Sequence, residues 1–201
     1  MKLVVSHKPL KRILGWIQGL LFACAVSLLA YWGFITVDAW NYERRERLQL
    51  DHLLEEQAAH PAAPRILLPL AKGDLIGSMD ISRVGLSVIV AEGTDKKTLR
   101  RAAGHIEGTA VPGQSGNVGI AGHRDTFFRP LRNVRENDII TLTTVAGEYR
   151  YRVVFTKIVG PDDVAVLDAS NTEILTLVTC YPFYFVGPAP DRFIVRAERV
   201  V

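Results

Sequence analysis

Thiols are almost missing from this sequence. Cys24 and Cys180 are its only cysteines and no Cys-x-x-Cys occurs, so a thiol oxidoreductase, which needs a second nearby sulfur to resolve a mixed disulfide, is excluded. Charge of a single sign is missing too. The 24 Lys and Arg side chains are interspersed with 21 Asp and Glu for a formal charge of +3, which leaves no basic stripe for phosphates and excludes nucleic acid as a partner. Over residues 13–37 there is no Asp, Glu, Lys, Arg or His at all, so a helix there has no charged face to turn toward water.

Those 25 residues span roughly 37 Å as a helix, enough to cross a hydrocarbon core of about 30 Å. A cleaved signal peptide has a shorter apolar core and an Ala-x-Ala-like exit, whereas this run passes into Asp38 and Tyr42-Glu43-Arg44-Arg45, so a retained anchor is expected. Lys2, Lys8, Lys11 and Arg12 precede the span and Arg44, Arg45 and Arg47 follow it. This slight basic excess, with the chemistry read below, assigns the N-terminus to the cytoplasm and the rest to the outside. Cys24 then lies in lipid and cannot pair with Cys180, and an unpaired cysteine in an exported domain marks a reactive thiol.

After the span, residues 42–57 are rich in Glu, Arg, Leu and Gln, with Leu50, Leu53, Leu54 and Gln57 at helical spacing; a juxtamembrane helical stalk is expected. Pro61 and Pro64 break it. The chain therefore divides into a cytoplasmic N-terminus (1–12), an anchor (13–37), a stalk and linker (38–64) and a catalytic domain (65–201).

From Gly77 onward short runs of β-branched residues alternate with Gly, Pro, Asn and Asp, the pattern of a mainly β domain. Residues 79–82 and 86–90 read as strands around Val84-Gly85, residues 118–121 as a strand ending at Gly122-His123, and residues 139–144 and 149–155 as hairpin arms. Residues 175–179 and 193–197 complete seven or eight strands, consistent with a small closed or nearly closed barrel. Residues 94–104 read as a short helix with a Thr or Asp cap and Gly104 as its stop.

Three strand boundaries carry chemistry-bearing side chains: Cys180 after Thr176-Leu177-Val178-Thr179, His123 after Gly119-Ile120-Ala121-Gly122, and Arg192 before Phe193-Ile194-Val195. Singly, each has an ordinary reading as a small buried hydrophobe, a turn histidine or a surface charge. Together they offer a nucleophile, an imidazole able to exchange protons near neutral pH, and a permanent cation for an oxyanion or thiolate. Tyr181-Pro182-Phe183-Tyr184-Phe185 then begins a loop suited to an apolar substrate wall, and Thr179, Tyr181 and Pro182 are the expected substrate contacts. Asp162, Asp163 and Glu173 read as loop charges rather than calcium ligands, and no metal or cofactor is expected. Rival readings are a cysteine peptidase that mainly hydrolyses and a membrane-anchored binding module without catalysis.

In this order and over residues 75–201, the Thr-Leu-Val-Thr-Cys run ending at Cys180, the Gly122-His123 pair and Arg192 resemble the motifs of the sortase family of cysteine transpeptidases. Within it, His-Arg-Asp-Thr-Phe-Phe-Arg-Pro-Leu at residues 123–131 is most like class D. The resemblance implies an eight-stranded sortase barrel outside the membrane and cleavage of a Leu-Pro-x-Thr-Gly-like C-terminal sorting signal after Thr. It further implies a Cys180 thioester, His123 as acid and base, Arg192 at the oxyanion, and transfer to an amine of the cell envelope. The partners implied are a secreted protein bearing that signal and the amine acceptor; calcium dependence stays open.

Overall fold

The computed structural model describes residues 8–59, 70–185 and 187–200. The linker residues 60–64, and residues 65–69 of the expected catalytic domain, lie outside the described residues. Contacts divide the chain into one unit of Met1–Trp40 and another of Asn41–Val201.

A single helix, α1, runs Lys8–Ala59. In the first unit its large apolar side chains, among them Trp16, Leu20, Phe22, Leu28 and Leu29, are exposed, and the helix is long and apolar enough to cross a membrane.

In the second unit the remainder of α1 is amphipathic. Leu50 is 3 % exposed, Tyr42 packs against the patch formed by Ile89, Ala91 and Ala102, and the Arg101 guanidinium lies 5.7 Å from the Tyr42 ring centroid. Arg47 joins Glu43 one turn back at 2.9 Å and Ser87 of the barrel at 2.8 Å. Full burial of a leucine contributes about 1.5–3 kcal/mol, so this segment, helical as the sequence suggests, is held along the barrel wall.

Eight strands form the barrel: β1 (Leu75–Ile81), β2 (Leu86–Glu92), β3 (Ala103–His105), β4 (Gly116–Ala121), β5 (Ile139–Thr144), β6 (Gly147–Val159), β7 (Glu173–Tyr181) and β8 (Asp191–Val200). Their order around the closed barrel is β1-β2-β3-β4-β7-β8-β6-β5, so no edge strand is left unpaired. The pairs β2·β3 and β4·β7 are parallel and the others antiparallel. Alternate residues point inward, and Met79, Val88, Ile120, Leu142, Tyr151, Leu175 and Val195 are among those that fill the interior. Burial, with Glu173 nearby, pushes the Tyr151 hydroxyl up to about 12, so it stays neutral in the core.

Two local expectations are corrected. The helix α2 covers only Lys96–Leu99, with Asp95 capping it through Lys97 N and Thr98 N. Ala103 and Gly104, read as its end, belong instead to β3 with His105, hydrogen-bonded to β2 and β4. A Cβ on Gly104 would collide with the main-chain oxygen of Gly93, so this glycine serves close strand approach rather than a helix stop. His105 is buried, its Nδ1 2.7 Å from Glu92 Oε2 and its Nε2 2.9 Å from Ala110 O; both ring nitrogens serve to join β3 to its surroundings.

Candidate active site

The central strand of the site is β7, between β4 and β8. Along it Leu175, Leu177 and Thr179 are buried toward the interior while Val178 and Cys180 are half-buried on the other face, as the period of two requires. Cys180 has Arg192 as its Cα partner on β8. In an antiparallel pair such partners project from the same face with Cβ atoms about 4.5–5.5 Å apart. On the other side Ala121 pairs with Val178, and Gly122 N extends the ladder by donating to Val178 O at 3.2 Å. His123 follows at once and is exposed. The three strand boundaries named from sequence therefore meet at one end of three adjacent strands.

Local structure explains the residues around His123. The next turn closes on its carbonyl, which accepts from Thr126 N at 3.3 Å and Phe128 N at 3.0 Å. Phe128 is buried in the barrel core, and its ring would lie 2.8 Å from a Cβ at position 122. Glycine is needed there because the ring occupies the space of any side chain.

The two threonines of the Thr-Leu-Val-Thr-Cys run are both buried and both tie β7 to β4. Thr179 Oγ1 donates to Gly122 O at 2.7 Å, and Thr176 Oγ1 donates to Asn117 Oδ1 at 2.6 Å. Asn117 in turn donates from Nδ2 to Val166 O at 3.0 Å and Asp168 O at 3.1 Å, while Arg196 Nη2 reaches Val166 O at 2.7 Å. The connection between β6 and β7, with its 3-10 turn Val164–Leu167, is thus held against the strands beside Cys180. Asn117→Ala removes three hydrogen bonds and leaves buried partners unmatched. It should cost about 2–4 kcal/mol, seen as a Tm roughly 5–15 °C lower in a thermal melt of the full chain in detergent.

Of the expected substrate contacts, Thr179 is spent on the bond to Gly122 and faces inward. Tyr181 shares that parity: its ring stacks on Phe193 at 6.2 Å and meets Phe183 edge-on at 6.0 Å. Pro182, preceded by a cis peptide bond, begins the β7–β8 loop and lines a cavity of about 330 Å³ with Arg132, Ile158, Tyr181, Phe183, Tyr184 and Phe193. Arg192 Nη1 donates to Asp191 O at 3.0 Å and Ala189 O at 3.3 Å, which fixes the orientation of its fork. Sequence reading missed three features: Val178 and Ala121 as the half-buried floor beside Cys180, the Asn117 anchor, and Arg124. Strand parity could have found the first of these.

Comparison with known proteins agrees with this geometry. The family model described as Sortase domain matches residues 79–200. Sortase D of Bacillus subtilis (strain 168) is 30% identical over 190 residues, covering 90% of this chain and 96% of the relative. Among solved structures, a sortase D5 transpeptidase of Clostridium perfringens matches with a TM-score of 0.67 at 28% identity, over 80% of this chain and 99% of that one. Sortase A from Corynebacterium diphtheriae matches with a TM-score of 0.60 at 33% identity, over 65% of this chain and 63% of that one.

Proposed function

The chain belongs to the sortase family of cysteine transpeptidases acting on peptide bonds, and from that premise we propose that it cleaves a Leu-Pro-x-Thr-Gly-like C-terminal sorting signal after Thr and transfers the new acyl end to an envelope amine. The observation that carries this reading is the shared level of Cys180, Arg192 and the β4 exit bearing His123 on three neighbouring strands.

In the proposed sequence, the Cys180 thiolate adds to the Thr carbonyl carbon and Arg192 donates to the developing oxyanion. As the C–N bond breaks, His123 gives its proton to the leaving amine, and the acyl group stays on sulfur as a thioester. An acceptor amine then adds to that carbon, the C–S bond breaks, and the proton of the attacking nitrogen passes to His123. Val178 and Ala121 form the floor under the peptide, and the β6–β7 and β7–β8 connections form its walls. Thr179 acts from behind, by setting the strand from which Cys180 projects, and Tyr181 lines the cavity beside Pro182.

The N-terminal apolar helix is one that can cross a membrane by length and composition. The topology that suits the chemistry is single-pass, with the N-terminus cytoplasmic and the barrel outside, where exported proteins carrying the signal and envelope amines are found together.

Incubation with a labelled Leu-Pro-x-Thr-Gly-type peptide, quenched in acid and digested, should yield the acyl group on the peptide containing Cys180 by mass spectrometry. Label recovered on another side chain overturns the reading.

A further inference from the structure

Arg124, directly after His123, is 6 % exposed. A guanidinium so deeply buried needs an acceptor for its N–H groups, and nearly all of those acceptors come from one segment of main chain. Nη1 donates to Pro182 O at 2.9 Å; Nη2 donates to Phe185 O at 2.6 Å and Gly187 O at 3.1 Å. The Phe185 ring centroid lies 5.9 Å from the guanidinium carbon, and Asp125 Oδ1 sits 3.4 Å from Nε. The β7–β8 loop is therefore curled around a cation that belongs to the other side of the site.

The loop is also tied at its two ends, where the Phe183 ring meets Tyr181 at 6.0 Å and Phe193 at 5.2 Å and Ala189 O accepts from Arg192 Nη1 at 3.3 Å. The loop's Phe185 N donates to Pro182 O at 3.3 Å, and Tyr184, itself exposed, meets Arg132 at 5.6 Å. Remove the Arg124 fork and Phe185 O and Gly187 O lose the donor it supplies while Pro182 O keeps only Phe185 N, so the loop gains freedom on the face where Pro182 follows Cys180.

We propose that Arg124 is a positioning residue that clamps the β7–β8 loop against the β4 exit and thereby keeps water away from the thioester. The inference rests on the thioester reading of Cys180 and His123 given above. In that state the acyl carbon is open to the nitrogen of an amine or the oxygen of water. With either, the C–S bond breaks, sulfur leaves as thiolate and one proton passes from the attacking atom to His123; only the product, amide or acid, differs. A dry groove favours the amine, and a loosened wall admits water.

The test uses the full chain in detergent, a labelled Leu-Pro-x-Thr-Gly-type peptide and glycinamide, with amide and acid products separated by mass spectrometry and hydrogen exchange followed over residues 183–185. Arg124→Lys retains the charge but not the fork, and Arg124→Gln removes both. The expected result is an acid-to-amide ratio about tenfold above wild type in Arg124→Gln, a smaller rise in Arg124→Lys, and faster exchange in the loop while β6 exchanges as before. Wild-type product ratio and wild-type loop exchange in both variants overturn the proposal. If Arg124→Gln does not fold, Arg124→Lys decides by the same two readings. Failure of the wild-type chain to form a thioester on Cys180 sinks the reading of the site instead, and the exchange measurement still judges the clamp.

Discussion

Cys180→Ala is expected to abolish transfer of a labelled sorting-signal peptide to an amine, with turnover falling by on the order of 10⁴-fold or more, while the barrel stays folded. The two halves of this expectation have separate physical grounds. Without the sulfur, no thioester can form, and the amine would have to displace the peptide nitrogen directly at an unactivated carbonyl. The fold should barely notice, because Cys180 is half-buried on the face of β7 away from the core. Its neighbours Leu177 and Thr179 keep the strand seated, so truncation should cost about 1 kcal/mol or less. Product analysis by chromatography, together with a far-UV circular dichroism melt of the same sample, checks both halves. Undiminished transfer by a folded Cys180→Ala chain would exclude a covalent mechanism at this sulfur.

Much of the barrel could be read from residue pattern because its strands are local statements. Ile139 to Thr144 and the run from Tyr149 are rich in β-branched and aromatic residues and flank a turn at Val145-Ala146, and they pair in register from Ile139↔Arg152 to Thr144↔Gly147. The turn at Val84-Gly85 was legible for the same reason: Gly85 takes a left-handed φ of 67°, which glycine adopts without strain. By contrast β3 was misread, since Ala102-Ala103 favours a helix locally and only pairing with β2 and β4, 13 and more residues away in sequence, makes it a strand.

The site follows the same division. Cys180, His123 and Arg192 were legible as strand-boundary residues, and their common level depends on a register that no single strand encodes. Thr179 and Tyr181, the expected substrate contacts next to Cys180, have the opposite strand parity; Thr179 bonds Gly122 O, while Tyr181 lines the cavity that Pro182 also borders. Arg124, part of the 123–131 stretch, and Asn117 carried no assigned role in the sequence. Their partners are main-chain carbonyls of residues 182–187 and 166–168, and a carbonyl has no identity in a sequence. What buried polar side chains hold in place is therefore visible only once the chain has folded.

Arg192 offers the sharper test of geometry, because charge and shape can be separated there. Its Nη1 is occupied by Asp191 O and Ala189 O, and among the described residues no acceptor takes its Nε or Nη2. One arm of the fork is thus spent on orientation, and the rest is what the proposed mechanism sets against the oxyanion, on the strand pair that joins Cys180 to Arg192. Lysine supplies the same charge through a single flexible ammonium, which cannot bond two carbonyls and an oxyanion at once. Arg192→Ala is therefore expected to lower kcat by about 10²–10³-fold, the cost of losing one oriented oxyanion donor, with KM little changed. Arg192→Lys should recover less than about tenfold of that loss. Steady-state transfer kinetics across peptide concentration measure both. A lysine variant with wild-type kcat would mean that charge alone suffices and that the orientation set by the two carbonyls has no part in the chemistry. An alanine variant that raised KM and left kcat intact would move Arg192 from the oxyanion to peptide binding.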